Sequence, residues 1–516
     1  MTTAAFERFP VEPLDEHNQL LVSHVHPDDW VNPQPAALYD LVVIGAGTAG
    51  LVVAAGAAGL GLGLKVALVE RHLMGGDCLN VGCVPSKCVI SSAKVVADMR
   101  KSEAYGIQPP AEVEIDFAAV MARMRKLRAG ISHHDSAQRF QTIGVDVFLG
   151  NGQFTKHDSV RVGDHELKYK KAVIATGARA VRPAIEGIET VGYLTNETVF
   201  NLTERPNRLA VIGGGPIGCE LAQAFHRLGS EVTLFHRGSH ILNREDADAA
   251  EIVQRVFLRE GIQLSLGAKL LKVEQTSEGK QITYSADGQQ KTSVVDQILV
   301  GAGRAPNVQG LDLEAVGVEY DERKGVVVNE YLQTTNPKIY AAGDICMNWK
   351  FTHAADAAAR IVIKNTLFAP FGIFGRDKVT DLVMPWATFT DPEIAHVGLY
   401  EHDARAQGIP IQTIQIEMSQ VDRAIADGET EGFVKVHYKQ GSDEIVGATI
   451  VARHAGDMIS EITTAIVNKI GLSKLSGVIH PYPTQAEGIK KAADAYKRTL
   501  LTPTSKNLLK FLTKLA

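Results

Sequence analysis

The chain has 516 residues, 45% of them hydrophobic and 22% charged, with 47 glycines, five cysteines and a net charge of −6. A chain of this size exceeds one hydrophobic core and predicts about three domains of a soluble, globular protein. The charge balance holds no basic excess for nucleic acid, and an odd, small number of cysteines excludes a disulfide scaffold and predicts a reducing, cytoplasmic setting.

Residues 1–38 carry Pro10, Pro13, Pro27, Pro33 and Pro35 with little periodicity, which predicts an extended N-terminal arm. The arm has no Cys-x-x-Cys, so it is not a small cysteine-based metal domain, and no targeting motif is recognised. Next, LVVIGAGTAGLVVAAGAAGLGLGL (41–64) has no charge and is long enough to span a bilayer. Its many glycines instead suit a strand, a turn and a helix packed inside a protein. Gly45, Gly47 and Gly50 form GxGxxG after a short apolar strand and before a small-residue helix. The first glycine allows the turn, the second admits a pyrophosphate, and the third packs helix on strand. Glu70, at the end of VALVE, is a carboxylate suited to adenosine ribose hydroxyls.

In GGDCLNVGCVPSK, four residues separate Cys78 from Cys83, just before a helix. The pair can close a small disulfide ring and open it on reduction. SSAKVVADMRKSEAYGI and DFAAVMARMRKLRAGISHHDSAQRF read as a helical pair, and LKYKKAVIATGARA as a strand running into a turn at Thr176 and Gly177. These segments make a first nucleotide domain, 39–185.

RLAVIGGGPIGCELAQAFHRLGSEVTLF repeats the plan with Gly213, Gly215 and Gly218, opening a second nucleotide domain, 186–332. Its second strand ends in His236, followed by Arg237, where an acid would select NAD. A basic pair there predicts NADPH, with Arg237 the main contact to the 2′-phosphate and His236 assisting; NADH stays open as the second choice. Two dinucleotide sites predict FAD and a nicotinamide, with hydride entering the flavin and electrons leaving it. Short alternating strands lead to Gly303 in GRAPN, and KIYAAGDI is a strand returning to the first nucleotide domain, 333–382. From 383 to 500, PWATFT, GFVKVHY, EIVGATIVA and AGDMISEITTAIVNKI predict a third, α+β domain. The tail, 501–516, puts Leu508, Leu509, Phe511, Leu512 and Leu515 on one helical face, with Lys506, Lys510 and Lys514 elsewhere. It is expected to dock on the body; the second reading is contact with a membrane surface.

The loop GDCLNVGCVPSK resembles that of the FAD-dependent pyridine nucleotide-disulfide oxidoreductases, a family that includes glutathione reductase, dihydrolipoamide dehydrogenase and mercuric reductase. The resemblance runs from residue 39 to about 495. It implies an α/β fold of two Rossmann-like domains and a C-terminal dimerisation domain, in a homodimer. It further implies that Cys83 faces the flavin and Cys78 attacks substrate. Lys87 resembles the lysine beside the flavin N5, Glu220 its ion-pair partner, and Asp344 the ribityl ligand. Thr352 and His353 would open the helix aimed at the flavin pyrimidine. Cys88, Cys219 and Cys346 match no catalytic position and are read as core residues.

The last motif, HPYPTQAE, decides the substrate class. Disulfide reductases of this family carry a proton-shuttling histidine five residues before a glutamate supplied with it by the partner subunit. Counting back from Glu487 reaches Tyr482; His480 lies two residues upstream. A phenol is a poor proton shuttle at neutral pH, whereas a histidine suits the task. Mercuric reductases resemble the chain here, and in VDRAIADGETEGFVKV. Their adjacent C-terminal cysteines are lacking, since no cysteine follows Cys346. The expected activity is NADPH-driven reduction of Hg(II) or a related soft metal, with no resident metal site. The alternatives are a disulfide reductase or dihydrolipoamide dehydrogenase using His480 as base, and a redox sensor at a membrane.

Overall fold

The computed structural model describes residues 11–110, 113–370 and 374–515. The chain divides into two compact units, one of residues 1–212, 224–232 and 270–382, the other of residues 213–223, 233–269 and 383–516.

In the first unit, the apolar runs YDLVVI and VALVE form β1 (Tyr39–Ile44) and β2 (Val66–Glu70), paired in parallel. Both are buried almost throughout, as strands covered on both faces must be. Helix α2 (Thr48–Ala58) joins them, so the uncharged glycine-rich stretch is a strand, a turn and a helix. Among the described residues no helix is long and apolar enough to cross a membrane. Strands β3 (Val145–Leu149), β4 (Gly152–Lys156), β5 (Ser159–Val162) and β6 (His165–Ile174) extend the sheet in the order β3-β2-β1-β6-β5-β4. The strand Ile339–Ala341 pairs with β6, returning the KIYAAGDI segment to the same sheet.

The N-terminal segment departs from the expected extended arm. Pro10 lies outside the described residues, but Glu16–Val25 is a helix, α1. The Asp15 carboxylate caps it by accepting from Asn18 N at 2.9 Å, and Leu21 and Val25 are fully buried. Only those two apolar residues and a buried asparagine form the inward stripe, too thin a pattern to read as a helix. Beyond the helix, Trp30 Nε1 donates to Val147 O and Asn32 exchanges two hydrogen bonds with Leu149. The helical pair appears as α4 (Cys83–Lys101) and α5 (Phe117–Ser132), preceded by a short α3 (Gly76–Asn80) in the cysteine loop, and Ser136 caps a separate α6 (Ala137–Thr142). Strand Arg208–Ile212 pairs in parallel with Gln297–Val300.

In the second unit, Thr233–Phe235 pairs in parallel with Gln263–Ser265. Its larger part is a five-stranded antiparallel sheet in the order Pro385–Thr388, Glu393–Gly398, Ile445–Ala452, Phe433–Lys439, Ile411–Glu417. Helices Ala455–Val467 and Glu487–Thr499 cover it through Ile462, Ile489 and Ala492 against Val434, Val436 and Ile450, so the α+β expectation holds.

The tail forms the expected helix, Pro503–Leu512, but not the expected docking. Leu508, Leu509, Phe511, Leu512 and Leu515 are all exposed. Leu500–Thr502 interrupts the chain, Pro503 starts a new helix, and the apolar face is not carried onto the surface that buries Ile489 and Tyr496.

Ile462 is fully buried in the second unit. Ile462→Ala is expected to lower stability by about 2–5 kcal/mol, measured by denaturant unfolding with tryptophan fluorescence.

Candidate active site

The first glycine turn is fixed by close approach. Gly45 has φ +101°, and a Cβ on it would lie 2.4 Å from Ala175 O; one on Gly50 would lie 1.8 Å from Gly45 O. Gly47 is the N-cap of α2 and no side chain caps that end, which leaves the backbone N–H groups to a phosphate. The buried Glu70 carboxylate accepts from Ala46 N at 2.6 Å and His72 N at 2.7 Å; burial raises its pKa and the two donors oppose the rise. Thr176 and Gly177 meet Asn307 through three hydrogen bonds, so ATGA and GRAPN form one junction. Gly303, at φ +120°, turns the chain into that strand. Asp344 is drawn to Arg304, 3.3 Å from its Nε, and burial pushes its carboxyl up. A glycine cradle, an uncapped helix N-terminus, the buried Glu70 and the half-buried Asp344 are a donor and acceptor set that fits a dinucleotide such as FAD.

The cysteine loop lies against this cradle. A Cβ on Gly76 would lie 2.6 Å from Gly47 Cα. Cys78 lies in α3, Cys83 opens α4, and both are thiols. Cys83 Sγ is 3.2 Å from Thr352 Oγ1, at the start of helix Thr352–Leu367, whose N-terminus has no side-chain cap. The hydrogen bond to Cys83, and then burial, push the Cys78 thiol well above its ordinary range; Thr352 opposes the rise and Asp135 adds to it. The Cys78 thiol is thus hydrogen-bonded to the Cys83 sulfur. Arg304 donates to the Asp77 carboxylate beside Cys78. Lys87 follows one turn into α4, its Nζ 3.4 Å from Ser86 Oγ, and the His353 ring stacks on Phe351. Cys88 and Cys346 are partly buried and Cys219 fully, and burial raises all three thiols.

In the second unit, Gly213 has φ +116° and Gly215 faces open space. Gly218 is buried in helix Pro216–Arg227. His236 Nδ1 accepts from Gly214 N at 3.1 Å, and burial lowers the imidazole pKa. A neutral ring that fastens the turn offers no positive charge, so the basic character of this position comes from Arg237, which is exposed. Glu220 accepts from Phe389 N at 2.9 Å.

The HPYPTQAE stretch separates its two candidates. The His480 side chain is 6% exposed, with Nε2 2.8 Å from Glu461 Oε1. Tyr482 is 71% exposed and its hydroxyl donates to Asp422 Oδ2 at 2.9 Å, which raises its pKa. Glu487 instead faces Lys491, 3.5 Å away. Asp422, Glu461, Asn80 and Arg304 were not legible as partners in the sequence; all four lie within motifs named above, but nothing in a linear pattern pairs them.

The chain belongs to the pyridine nucleotide-disulphide oxidoreductase family, which it matches over residues 39–359, with the dimerisation domain of that family over 384–493. It is therefore an FAD-dependent, NAD(P)H-using flavoprotein of the class that works through a redox-active disulfide, and its dimerisation domain supports a homodimer. It is 35% identical to a mercuric reductase of Lysinibacillus sphaericus over 90% of this chain and 83% of that one. It is 34% identical to a dihydrolipoyl dehydrogenase of Chlamydia muridarum, over 87% and 95% of the two chains. Among solved structures it is similar to a Cu(II) complex of the HOCl-induced flavoprotein disulfide reductase RclA from Escherichia coli, with a TM-score of 0.77 and 28% identity over 87% and 98% of the chains.

Gly50→Ala is expected to abolish flavin retention, because the new methyl group and Gly45 O cannot share one position. The ratio of flavin to protein absorbance after gel filtration measures it.

Proposed function

We propose that this enzyme is a mercuric reductase-like reductase of Hg(II) or a related soft metal ion, driven by NADPH through Cys78 and Cys83. The observation that carries the reading is the Tyr482–Asp422 hydrogen bond of 2.9 Å. It ties the tyrosine of the HPYPTQAE motif to VDRAIADGETEGFVKV, which, like FTDPEIAHVG, resembles the same stretch in mercuric reductases. Tyr482 stands out from its own unit, as a residue serving a partner subunit must. His480, nearly buried against Glu461, is poorly disposed to reach another subunit. The mercuric reductase of L. sphaericus supports the metal reading, and the Cu(II) complex of the E. coli reductase adds copper as a second ion to test.

FAD, when bound, supplies the relay of two electrons from the nicotinamide to the cysteine pair. Gly45, Gly47 and Gly50 hold its pyrophosphate, Glu70 its ribose, and Asp344 its ribityl chain. Lys87 would bring a positive charge beside the flavin N5, and the Thr352–Leu367 helix, with Thr352 and His353 in its first turn, would direct its N-terminus at the pyrimidine. Thr176, Gly177 and Gly303 shape the junction beneath. Gly213, Gly215 and Gly218 receive the nicotinamide dinucleotide, and Arg237 takes its 2′-phosphate. Reduction opens the disulfide to two thiols. As thiolates these are soft ligands matched to Hg(II), and Tyr482 can donate to a sulfur or face the bound metal. The overall reaction balances as NADPH + Hg(II) → NADP⁺ + H⁺ + Hg(0). Small thiols in solution can serve as the metal carriers to the Cys78–Cys83 pair. A second reading, disulfide or lipoamide reduction with His480 as base, is favoured by the His480–Glu461 pair, a histidine held by a carboxylate.

NADPH oxidation by the purified holoenzyme tests the two readings, with Hg(II) plus excess thiol, Cu(II), lipoamide or glutathione disulfide as acceptor. The expected result is metal-driven turnover that Tyr482→Phe slows about tenfold, the worth of one hydrogen bond to a charged group, and His480→Ala spares. Disulfide-driven turnover lost in His480→Ala contradicts it. Arg237→Glu is expected to cut the NADPH-over-NADH preference by roughly tenfold to a hundredfold, read as the ratio of kcat/KM values.

A further inference from the structure

The loop between the two redox cysteines is held from behind by a buried chain of hydrogen bonds that the reading above leaves without a role. Arg128, on α5, donates through Nη1 to Asn80 O at 2.6 Å and through Nη2 to Asn18 Oδ1 at 2.7 Å. Asn80 lies between Cys78 and Cys83, and its side chain donates back to Met74 O and Gly76 O at 3.0 and 2.9 Å. Asn18 lies in α1 and donates to Pro13 O at 2.8 Å. The N-terminal segment meets the loop again where Met74 N donates to Val25 O at 3.0 Å. Asn18, Arg128 and Asn80 are all buried. Burial pulls the guanidinium down to about 10, so it stays charged at neutral pH.

Each link has a physical consequence. Asn80 O closes the one-turn helix α3, and a carbonyl at a helix end needs a donor from outside the helix. A buried guanidinium stripped of one acceptor is left undercompensated, so Asn18 matters to Arg128 as Arg128 matters to Asn80. While the disulfide is closed, the covalent ring itself fixes Cys78. Once it opens, only non-covalent contacts keep Cys78 facing Cys83, and the Asn18–Arg128–Asn80 chain grips the loop between them. We infer that Arg128 is a positioning residue for Cys78, anchored by residues 13–26 acting as a strap across the back of the redox loop. The strap sustains the effective concentration of one sulfur at the other, and so the tendency of the ring to close.

The inference rests on Cys78 and Cys83 being the redox pair. The test is a glutathione redox titration of the holoenzyme, with the dithiol fraction read by thiol labelling. Ferricyanide reduction by NADPH, which needs the flavin but not the disulfide, is followed alongside. Arg128→Met is expected to make the ring easier to reduce, moving the half-reduction point by about tenfold in the ratio of squared glutathione to glutathione disulfide, while ferricyanide reduction holds; an ångström of misplacement at a reacting group costs ~100-fold. Arg128→Lys restores part of the shift, since it keeps a charged donor for Asn80 O. Asn18→Ala moves the point the same way by less, and decides alone if Arg128→Met does not fold. An unshifted midpoint in both overturns the inference, as does a parallel loss of ferricyanide activity. Cys78→Ser separates the two claims: if it leaves metal or disulfide turnover intact, the redox-pair reading fails first.

Discussion

The first glycine turn and the redox loop touch at Gly47 and Gly76, closely enough that a Cβ on Gly76 would stand 2.6 Å from Gly47 Cα. That contact joins a phosphate-binding turn to a sulfur-bearing loop. A dinucleotide held by α2 would be fixed relative to the loop that carries Cys83, because strand, turn and loop form one packed body. Other parts of the unit hold the same loop from different sides. Arg304 reaches the carboxylate of Asp77, Thr352 reaches Cys83, Asn196 donates to Val81 O at 3.3 Å, and Arg128 reaches Asn80 O. Electron transfer through a disulfide needs that many constraints because the ring opens in every cycle and must close again.

The second unit contributes a different logic. Its five-stranded sheet and two covering helices form a rigid platform, and HPYPTQAE is the connection leading into the second helix. Within three residues the chain buries a histidine on Glu461 and extends a tyrosine to Asp422. A histidine–carboxylate pair and a tyrosine–carboxylate pair therefore stand side by side, one turned inward and one outward. The outward one is exposed, and the proposed metal chemistry rests on it.

Much of this architecture was legible from residues alone. Paired GxGxxG turns after apolar strands, the Cys-x4-Cys loop and the alternating strands after residue 383 each join a local pattern to one backbone geometry, and the structure bears out that fold class. What escaped was long-range. The first 38 residues read as an arm because α1 buries only Asn18, Leu21 and Val25. Arg128 reads as an ordinary helical arginine, and nothing in sequence says that its guanidinium ends on Asn80 O. His236 reads as a basic group, yet burial against Gly214 makes it a neutral fastener. The tail reads as amphipathic and is so, but amphipathicity does not state what covers the apolar face. Periodicity reports which face is apolar; only tertiary packing decides which polar atoms meet.

The central claim is that electrons from NADPH cross a flavin to the Cys78–Cys83 pair. Anaerobic titration of the purified holoenzyme with NADPH, followed by absorbance, tests it most directly. The account predicts uptake of roughly four electrons per subunit, two by the flavin and two by the disulfide, with a long-wavelength thiolate-to-flavin band at the midpoint. Cys83→Ser should accept about half as many electrons and show no band. Uptake by the wild-type enzyme that stops at the flavin alone, with no such band, would contradict it.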